Sequence, residues 1–248
     1  MPHPVALVTG ASRGIGRACA QALARAPEPF DLAIHFKENA AAAESLAAQL
    51  REHGVRAQTF AADLAQSGAA KTLVKTVAEQ FGPPAALVHA AGHILEQPLP
   101  FTRAEDWDAL FEVHAFSAAA LAKASLRYLR KSDRGRIVFV GSLAGVLGLG
   151  NATAYAAAKG ALHGLCKSLA LEAARWKTTV NIVAPGYVET DLTHSHDEAR
   201  RATLSRAIPL GRYAAPEEIA AVAAFLCSPN AAYMTGQILV ADGGLSLG

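Results

Sequence analysis

The sequence predicts an α/β fold in which helices cover both faces of one doubly wound, parallel β-sheet. Short runs rich in β-branched residues alternate with longer alanine-rich segments, and several of the short runs are almost entirely apolar. Continuous apolar strands are typical of parallel sheets, because helices bury both faces of such a sheet. The 248 residues contain no linker, internal repeat or charge block, so we expect a single domain, 1–248.

The composition of the chain argues against several classes of protein. It is 52% hydrophobic with a mean hydropathy of +0.20, which is too apolar for a disordered chain. A formal net charge of +2 gives no strong positive excess to attract phosphates, so we expect no nucleic-acid partner. Cys19, Cys166 and Cys227 lie far apart without a C-x-x-C pair, which argues against a disulfide framework or a metal site and favours a reducing compartment.

Neither a targeting signal nor a membrane span is expected. The residues before the first predicted strand contain no basic segment followed by a long apolar stretch and a cleavage site. The longest uninterrupted apolar run, 219–227, has nine residues, and a membrane-spanning helix needs about twenty. We therefore expect a cytoplasmic protein with no membrane partner.

The alternating pattern predicts seven strands and six main helices. The expected strands are 5–9, 31–36, 56–60, 85–89, 136–141, 179–184 and 237–240. The expected helices are 14–26, 40–53, 67–81, 103–130, 153–175 and 216–227, where Ala, Leu, Glu, Lys and Arg dominate. Right-handed crossovers between parallel strands place all the strand carboxyl ends at one edge, where ligands bind in such sheets.

A glycine-rich turn joins the first strand to the first helix. It reads Thr9-Gly10-Ala11-Ser12-Arg13-Gly14-Ile15-Gly16, a G-x-x-x-G-x-G spacing. Glycines allow a tight turn and a close approach of the backbone to a pyrophosphate, and the N–H groups of the following helix face the anion. The position of this turn predicts a Rossmann-type dinucleotide site. A glycine-rich turn without a ligand is the alternative.

The end of the second strand favours NADP(H) over NAD(H). An NAD site usually places an acid there to bind the ribose 2′-hydroxyl, but this sequence has Phe36 followed by Lys37. Arg13 lies inside the glycine loop, and two cations without the acid suit a 2′-phosphate. Glu38 is the counter-argument because it could reach the ribose, and Lys37 could be an ordinary solvated lysine.

An acid also follows the third strand. The carboxylate of Asp63, which precedes Leu64, could accept a hydrogen bond from the adenine amino group. Asp63 could equally be a helix N-cap or a loop acid, and these interpretations do not exclude each other.

Three residues carry the predicted chemistry. Tyr155 and Lys159 are four residues apart, so they share one face of a helix. A lysine ammonium beside a tyrosine favours the phenolate, so we expect a Tyr155 pKa below its usual value near 10 and acid/base activity near neutral pH. Ser142 ends the fifth strand, and its hydroxyl could hold a substrate carbonyl oxygen beside Tyr155.

On these residues the chain resembles the short-chain dehydrogenase/reductase family, over essentially its whole length. Within that family it is most similar to bacterial 3-oxoacyl-acyl-carrier-protein (ACP) reductases, through the stretches 183–191, 208–219 and 232–244. The shared marks are Thr9-Gly10-x3-Gly14-x-Gly16, Asp63, Ala90-Ala91-Gly92, Ser142, Tyr155-x3-Lys159, Pro185-Gly186-x3-Thr190 and Asp242-Gly243-Gly244.

The resemblance implies hydride transfer between nicotinamide C4 and a carbonyl carbon. Tyr155 would give its proton to the oxygen, Ser142 would hydrogen-bond that oxygen, and Lys159 would bind the nicotinamide ribose. The Val188 backbone and the Thr190 side chain would anchor the carboxamide. The cofactor-binding residues expected in all are Gly10, Ser12, Arg13, Gly14, Ile15, Gly16, Lys37, Asp63, Leu64, Ala91, Gly92, Tyr155, Lys159, Pro185, Gly186, Val188 and Thr190.

Two histidines depart from the family pattern. His89 replaces an asparagine before Ala90, and a buried histidine bonded to backbone carbonyls is favoured there over a catalytic one. His114 replaces the tetrad asparagine after Trp107-Asp108-x4-Val113, where the family holds a water in the proton relay. An imidazole also donates and accepts hydrogen bonds, so we assign His114 to the relay and expect pH sensitivity near neutrality. An impaired relay is the alternative.

The segment from about 187 to 212 is predicted to be a substrate lid. His194 and His196 bracket Ser195 there, and a mobile polar lid is favoured over a metal site because no third ligand is evident nearby. Leu192, Leu204, Ile208 and Leu210 suit an acyl chain without specifying one. His93 either lines the pocket mouth or is simply exposed.

Three functions are compatible with the sequence. The first is NADPH-dependent reduction of a 3-oxoacyl thioester such as 3-oxoacyl-ACP. The second is oxidation or reduction of another small carbonyl or alcohol, such as a sugar, steroid or xenobiotic ketone. The third is a cofactor-binding homologue with impaired catalysis, which the intact Ser142, Tyr155 and Lys159 disfavour.

The sequence also suggests partners. Two basic clusters could dock an acidic carrier protein but are equally compatible with solvated faces, and both lie at strand amino-terminal ends, away from the predicted site. They are Arg127, Arg130, Lys131 and Arg134, and Arg175 with Lys177. Relatives of this fold commonly form tetramers, so a homotetramer is expected.

Overall fold

The fold is a single seven-stranded sheet with the strand order β3-β2-β1-β4-β5-β6-β7, in which every neighbouring pair is parallel. This computed structural model describes residues 3–191, 193 and 197–248. The strands are β1 (Val5–Thr9), β2 (Asp31–Phe36), β3 (Ala57–Ala61), β4 (Pro84–His89), β5 (Arg136–Val140), β6 (Thr179–Pro185) and β7 (Ile238–Ala241). The predicted fold class and all seven strands are confirmed.

Helices cover both faces of the sheet. They are α1 (Gly14–Ala24), α2 (Ala40–Glu52), α3 (Ala69–Gln80), α4 (Ala104–Phe111), α5 (Ser117–Leu129), α6 (Leu143–Leu147), α7 (Thr153–Ala173), α8 (Glu198–Ala207) and α9 (Pro216–Cys227). A π-helical turn, Glu112–Phe116, joins α4 to α5. Short 3₁₀ turns are Leu99–Phe101, Ala174–Trp176, Pro229–Ala231 and Leu245–Leu247.

Three helical features differ from the prediction. The expected helix 103–130 is divided by the π turn. α6 was not predicted because it has only five residues, and it begins where the Ser142 side chain accepts a hydrogen bond from the Ala144 N–H. α8 was not predicted because none of its residues is buried, so it carries no apolar periodicity; it begins at Asp197, which accepts from Arg200 N–H. The other boundaries agree within one or two residues.

The core consists of two apolar layers, one on each face of the sheet. Val8 faces the layer formed with α1, α2 and α9, and Leu7 faces the layer formed with α3, α5 and α7. This alternation along β1 is the period-two pattern of a strand buried on both faces. The cysteines Cys19, Cys166 and Cys227 are buried within these layers as free thiols.

One helical segment in the described part of the chain, Ala104–Leu129, is long and apolar enough to cross a membrane by length and composition. Leu121 and Leu129 are fully buried in the layer that also contains α3 and α7. Core helices of soluble domains satisfy the same criterion, so the segment gives no independent support for a membrane span.

Candidate active site

A cavity of about 930 Å³ opens at the carboxyl edge of the sheet, where the strand order reverses beside β1. This is the position where doubly wound sheets bind ligands. The residues predicted to bind cofactor all line it: Gly10, Ser12, Arg13, Gly14, Ile15, Gly16, Lys37, Asp63, Leu64, Ala91, Gly92, Tyr155, Lys159, Pro185, Gly186, Val188 and Thr190. Ser142 and His114 line the same cavity. The topology therefore brings the predicted residues together, while their roles stay predictions.

The glycine loop is held in close backbone contact with its neighbours. Gly10 has a φ of +66°, and a Cβ added there would lie 2.7 Å from the Ala91 Cα. A Cβ on Gly16 would lie 2.3 Å from the Gly10 carbonyl oxygen. Arg13, at the N-cap of α1, makes no side-chain cap, so the first N–H groups of α1 keep their capacity to bind an anion. The loop thus fits a phosphate-bearing cofactor.

The two cations expected to face a 2′-phosphate already contact carboxylates. Arg13 Nη1 lies 3.4 Å from Asp191 Oδ2, with both side chains more than half exposed. Lys37 Nζ lies 3.3 Å from Asp63 Oδ2 and 3.6 Å from Glu38 Oε1. The hydrogen bond to Asp63 and its charge raise the pKa of Lys37. Both cations therefore lie at the cavity rim within ion-pair distance of carboxylates.

Asp63 lies in the loop after β3, in agreement with its interpretation as a loop acid. Its Oδ1 accepts a hydrogen bond from the Ala65 N–H at 3.1 Å. Burial acts to raise the pKa of Asp63, but the Ala65 N–H and Lys37 together lower it, so the group is ionised at neutral pH. This arrangement does not exclude an additional contact with adenine, because Asp63 also lines the cavity.

Ser142, Tyr155 and Lys159 meet at one end of the cavity. Ser142 follows β5 and caps α6, and a hydrogen bond joins its side chain to that of the half-buried Tyr155. Lys159 lies one turn after Tyr155 on α7, with its Nζ 5.9 Å from the centre of the Tyr155 ring. The Lys159 ammonium donates a hydrogen bond to the Val140 carbonyl at 2.8 Å. Proton donors thus converge beside the cavity from β5 and α7.

The predicted lowering of the Tyr155 pKa is wrong for this structure. Burial raises the pKa of Tyr155, and the hydrogen bond with Ser142 only partly opposes it. Burial also lowers the pKa of Lys159 to about 7. Desolvation penalises the charged forms of both side chains, which the sequence spacing alone does not reveal.

His114 lies inside the π turn, beside Tyr155. Its Nε2 is 2.7 Å from the His93 carbonyl oxygen, so Nε2 carries the proton and Nδ1 the lone pair. Nδ1 is buried and has no hydrogen-bond partner among the residues that the structure describes. The His114 and Tyr155 ring centres are 5.5 Å apart with their planes at 81°.

The imidazole of His114 does not titrate near neutral pH. Burial and then the charge of Lys159 hold its pKa well below the usual 6.5. His114 is therefore neutral at physiological pH, and the expected pH sensitivity of this residue near neutrality is wrong.

His89 is buried, as favoured from the sequence, but its ring nitrogens lie beside side-chain hydroxyls and not only the expected backbone carbonyls. It is 2% exposed, its Nδ1 lies 2.8 Å from Thr9 Oγ1 and its Nε2 lies 3.4 Å from Ser117 Oγ. Burial lowers its pKa to about 3. His89 thus braces β1 and β4 against α5 as a neutral side chain.

The predicted lid contributes part of the cavity wall. Tyr187, Val188, Thr190, Asp191 and Thr193 line the cavity. Ile208 is buried, whereas Leu210 is 69% exposed. Leu192, His194, Ser195 and His196 lie outside the described residues.

Ion pairs connect α8 to the cavity-lining residue Glu96 and to Glu189, which lies within the predicted lid segment itself. Arg200 Nη2 lies 2.6 Å from Glu96 Oε2, and Arg201 Nη2 lies 2.5 Å from Glu189 Oε2. Neither arginine was singled out in the sequence, because α8 itself was not predicted.

Sequence reasoning missed several residues that line the cavity. They are Ile94, Glu96, Ala109, Val113, Leu143, Leu147, Leu149, Tyr187 and Leu245. Tyr187 lies within the recognised 185–190 stretch and could have been found, whereas Leu245 carries no local signal. His93 also lines the cavity and is exposed, so both of its interpretations hold. The two basic clusters are not among the described lining residues.

Comparison with known proteins gives the same family over the whole chain. A family model described as enoyl-(acyl carrier protein) reductase matches residues 10–246. A 3-oxoacyl-[acyl-carrier-protein] reductase, FabG, from Vibrio cholerae is 40% identical over 244 residues, covering 97% of this chain and 96% of that protein. The chain belongs to the short-chain dehydrogenase/reductase family. It is therefore an oxidoreductase.

Solved structures of the same family vary in their named activities. An acetoin dehydrogenase from Enterobacter cloacae is 34% identical with a TM-score of 0.90, covering 98% of this chain and 96% of that one. A protein from Beutenbergia cavernae described as an NAD(P)-dependent gluconate 5-dehydrogenase, with bound NADP, is 33% identical with a TM-score of 0.93. That comparison covers 100% of this chain and 98% of that one. Family membership thus leaves several carbonyl substrates open.

The contact between Gly92 and His114 gives a stability prediction. A Cβ on Gly92 would lie 2.1 Å from His114 Cε1, and the ring cannot move easily because it is buried and bound to His93. We expect Gly92→Ala to lower the free energy of unfolding by about 1–3 kcal/mol, measured by denaturant titration. Replacing the ring as well, in Gly92→Ala/His114→Ala, should cost less than the sum of the two single changes.

Gly164→Ala is the matched control, because no heavy atom lies within 4 Å of a Cβ at that helical position. It should leave stability unchanged or raise it. Strictly additive effects in the Gly92/His114 double variant would show that the two residues do not contact each other.

Proposed function

We propose that this short-chain dehydrogenase/reductase reduces a 3-oxoacyl thioester, such as a 3-oxoacyl-ACP, to the 3-hydroxyacyl form with NADPH. The observation that carries the proposal is the convergence of Ser142, Tyr155 and Lys159 on the cavity that the glycine loop also lines. The 40% identity to a 3-oxoacyl-ACP reductase supports this substrate class. We further propose that the enzyme is cytoplasmic and homotetrameric, with segment 187–212 as the substrate lid.

The residues at the end of the cavity can perform the proton part of a carbonyl reduction. A nicotinamide cofactor, when bound, supplies hydride to the carbonyl carbon. The Tyr155 hydroxyl gives its proton to the carbonyl oxygen as negative charge develops there, and the Ser142 hydroxyl donates a hydrogen bond to the same oxygen. Lys159, when charged, stabilises the resulting phenolate, whose ring centre lies 5.9 Å from its Nζ.

The choice of NADPH rests on Arg13 and Lys37. Both line the cavity. Position 36, where an NAD site usually has an acid, is Phe36. A 2′-phosphate forms charge-assisted hydrogen bonds with such cations. Pro185, at the end of β6, and Gly186, Val188 and Thr190, which follow it, line the cavity, and we assign them to the carboxamide end of the cofactor.

We place His114 in the proton relay beside Lys159. Its Nδ1 keeps a lone pair that a neighbouring proton donor can use, since Nε2 is committed to the His93 carbonyl. The asparagine usual at this position offers both a donor and an acceptor, whereas His114, with its donor bound to the His93 carbonyl, offers only the Nδ1 acceptor.

A second function, oxidation or reduction of a small hydroxyketone or sugar acid, is supported by the acetoin and gluconate dehydrogenase structures. The carboxylate of Glu96 lines the cavity, which suits a polar substrate better than a long acyl chain. Its ion pair with Arg200 offsets part of that polarity.

The central experiment measures oxidation of NADPH and NADH at 340 nm with the ketones acetoacetyl-CoA and acetoin, and reduction of NADP⁺ and NAD⁺ at the same wavelength with gluconate, which has no ketone to reduce. We expect NADPH-dependent turnover of the thioester, and Tyr155→Phe should lower kcat by at least about 100-fold because it removes the proton donor. The affinity of Tyr155→Phe for NADPH should stay within a few fold, since the ring is kept.

Turnover with acetoin or gluconate but not with the thioester would favour the second function. NADPH binding without turnover of any carbonyl would favour a homologue with impaired catalysis.

Removing one rim cation should weaken NADPH more than NADH. We expect Lys37→Ala or Arg13→Ala to raise the KM for NADPH about tenfold while changing the KM for NADH little, because only NADPH carries the 2′-phosphate. Lys75→Ala is the control, since Lys75 lies on α3 in an exposed pair with Glu79. Equal effects on both nucleotides would contradict recognition of the 2′-phosphate.

Substitution of His114 tests the relay. His114→Ala should lower kcat about tenfold or more, whereas His114→Asn, which keeps a donor and an acceptor, should retain more activity. The shape of the pH–rate profile between pH 6 and 9 should be the same in all three proteins, because burial keeps this imidazole neutral. Variants that match the wild type in rate across this range would show that His114 has no relay role.

A further inference from the structure

A buried histidine connects the glycine loop to the loop after β3. His35 lies near the end of β2 and is 2% exposed. Its Nδ1 accepts a hydrogen bond from the Gly10 N–H at 3.1 Å, and its Nε2 lies 3.0 Å from the Ala62 carbonyl oxygen. A backbone N–H can only donate and a carbonyl can only accept, so Nδ1 carries the lone pair and Nε2 the proton.

The backbone of the same residue holds the next N–H of the loop. Ala11 N–H donates to the His35 carbonyl at 2.9 Å. Two successive N–H groups of the glycine loop therefore end on His35, one on its side chain and one on its main chain. On the opposite side, Gly10 packs so closely against Ala91 that no Cβ would fit between them. The position of Gly10 is thus fixed from both sides.

Packing alone does not account for a histidine at this position. The neighbouring strand residues Leu32 and Ile34 are fully buried and apolar. A buried imidazole is costly unless both of its nitrogens are bonded, and here both are. Burial also lowers the pKa of His35, which favours the neutral form that can accept from Gly10, although Asp63 acts in the opposite direction.

We propose that His35 is a positioning residue for the cofactor: it holds the loop from Gly10 to Gly16 in the conformation that receives the pyrophosphate. Through Ala62, which precedes Asp63, it also sets the distance between that loop and the loop after β3. His35 contacts both loops and lines the cavity between them. The inference rests on the proposed function, because it takes a nicotinamide dinucleotide as the ligand.

Three substitutions at position 35 test the two hydrogen bonds of the imidazole individually. Asn at position 35 places its Oδ1 where Nδ1 lies and keeps the acceptor for Gly10. Gln places its Nε2 where the histidine Nε2 lies and keeps the donor for Ala62. Leu keeps neither. We expect His35→Gln and His35→Leu to raise the Kd for NADP⁺ and NADPH about tenfold, measured by calorimetry, and His35→Asn to stay within about threefold.

The turnover number provides a second readout, because a general loss of structure would lower kcat. At saturating NADPH, kcat should be unchanged within about threefold in all folded variants, because His35 does not touch the reacting atoms. In the protein without nucleotide, hydrogen exchange at the Gly10 amide should be faster in His35→Gln than in His35→Asn. This comparison stands even if His35→Leu fails to fold.

Equal weakening of nucleotide binding by Asn and Gln would overturn the inference, as would wild-type affinity in every folded variant. In both cases the wild type still binds NADPH and the proposed function stands. A wild-type protein that binds neither nucleotide would overturn the proposed function and this inference with it.

Discussion

The close approach of the carboxyl ends of β1 and β4 is the constraint on which the rest of the site depends. Gly10 lies against the Ala91 backbone, and the Thr9 hydroxyl accepts hydrogen bonds from both Ala90 and Ala91 N–H groups. Because the strand order reverses beside β1, this contact leaves a crevice on its open side. The crevice is lined by the glycine loop, by the cations Arg13 and Lys37, and by residues of β5 and α7.

Local patterns were sufficient to predict the architecture and nearly half of the residues that line the cavity. The apolar runs at β1, β4 and β5 had the continuous character that burial on both faces requires, and they occur where predicted. The glycine spacing and the interval between Tyr155 and Lys159 are local sequence patterns, so they predict where these residues lie in the fold without knowledge of distant contacts. The same holds for Ser142, whose place at the end of a strand follows from the strand itself.

Properties that arise from packing could not be predicted in this way. The spacing of Tyr155 and Lys159 suggested a lowered tyrosine pKa, but burial of both groups acts in the opposite direction. No local pattern singles out His35, because its two side-chain hydrogen bonds are to Gly10 and Ala62, which lie 25 and 27 positions away. α8 lacked an apolar face because none of its residues is buried.

The π turn at Glu112–Phe116 lets one helical segment pack in two different apolar clusters. Before the turn, Leu110 packs with Ala154 and Ala158 beneath Tyr155; after it, Leu121 packs in the main layer with α3 and α7. The extra residue in the turn rotates the following helix by about 100° relative to a regular α-helix. Shortening the segment by one residue would therefore rotate α5 by about 100° and turn part of its buried face, including Leu121, away from the main layer.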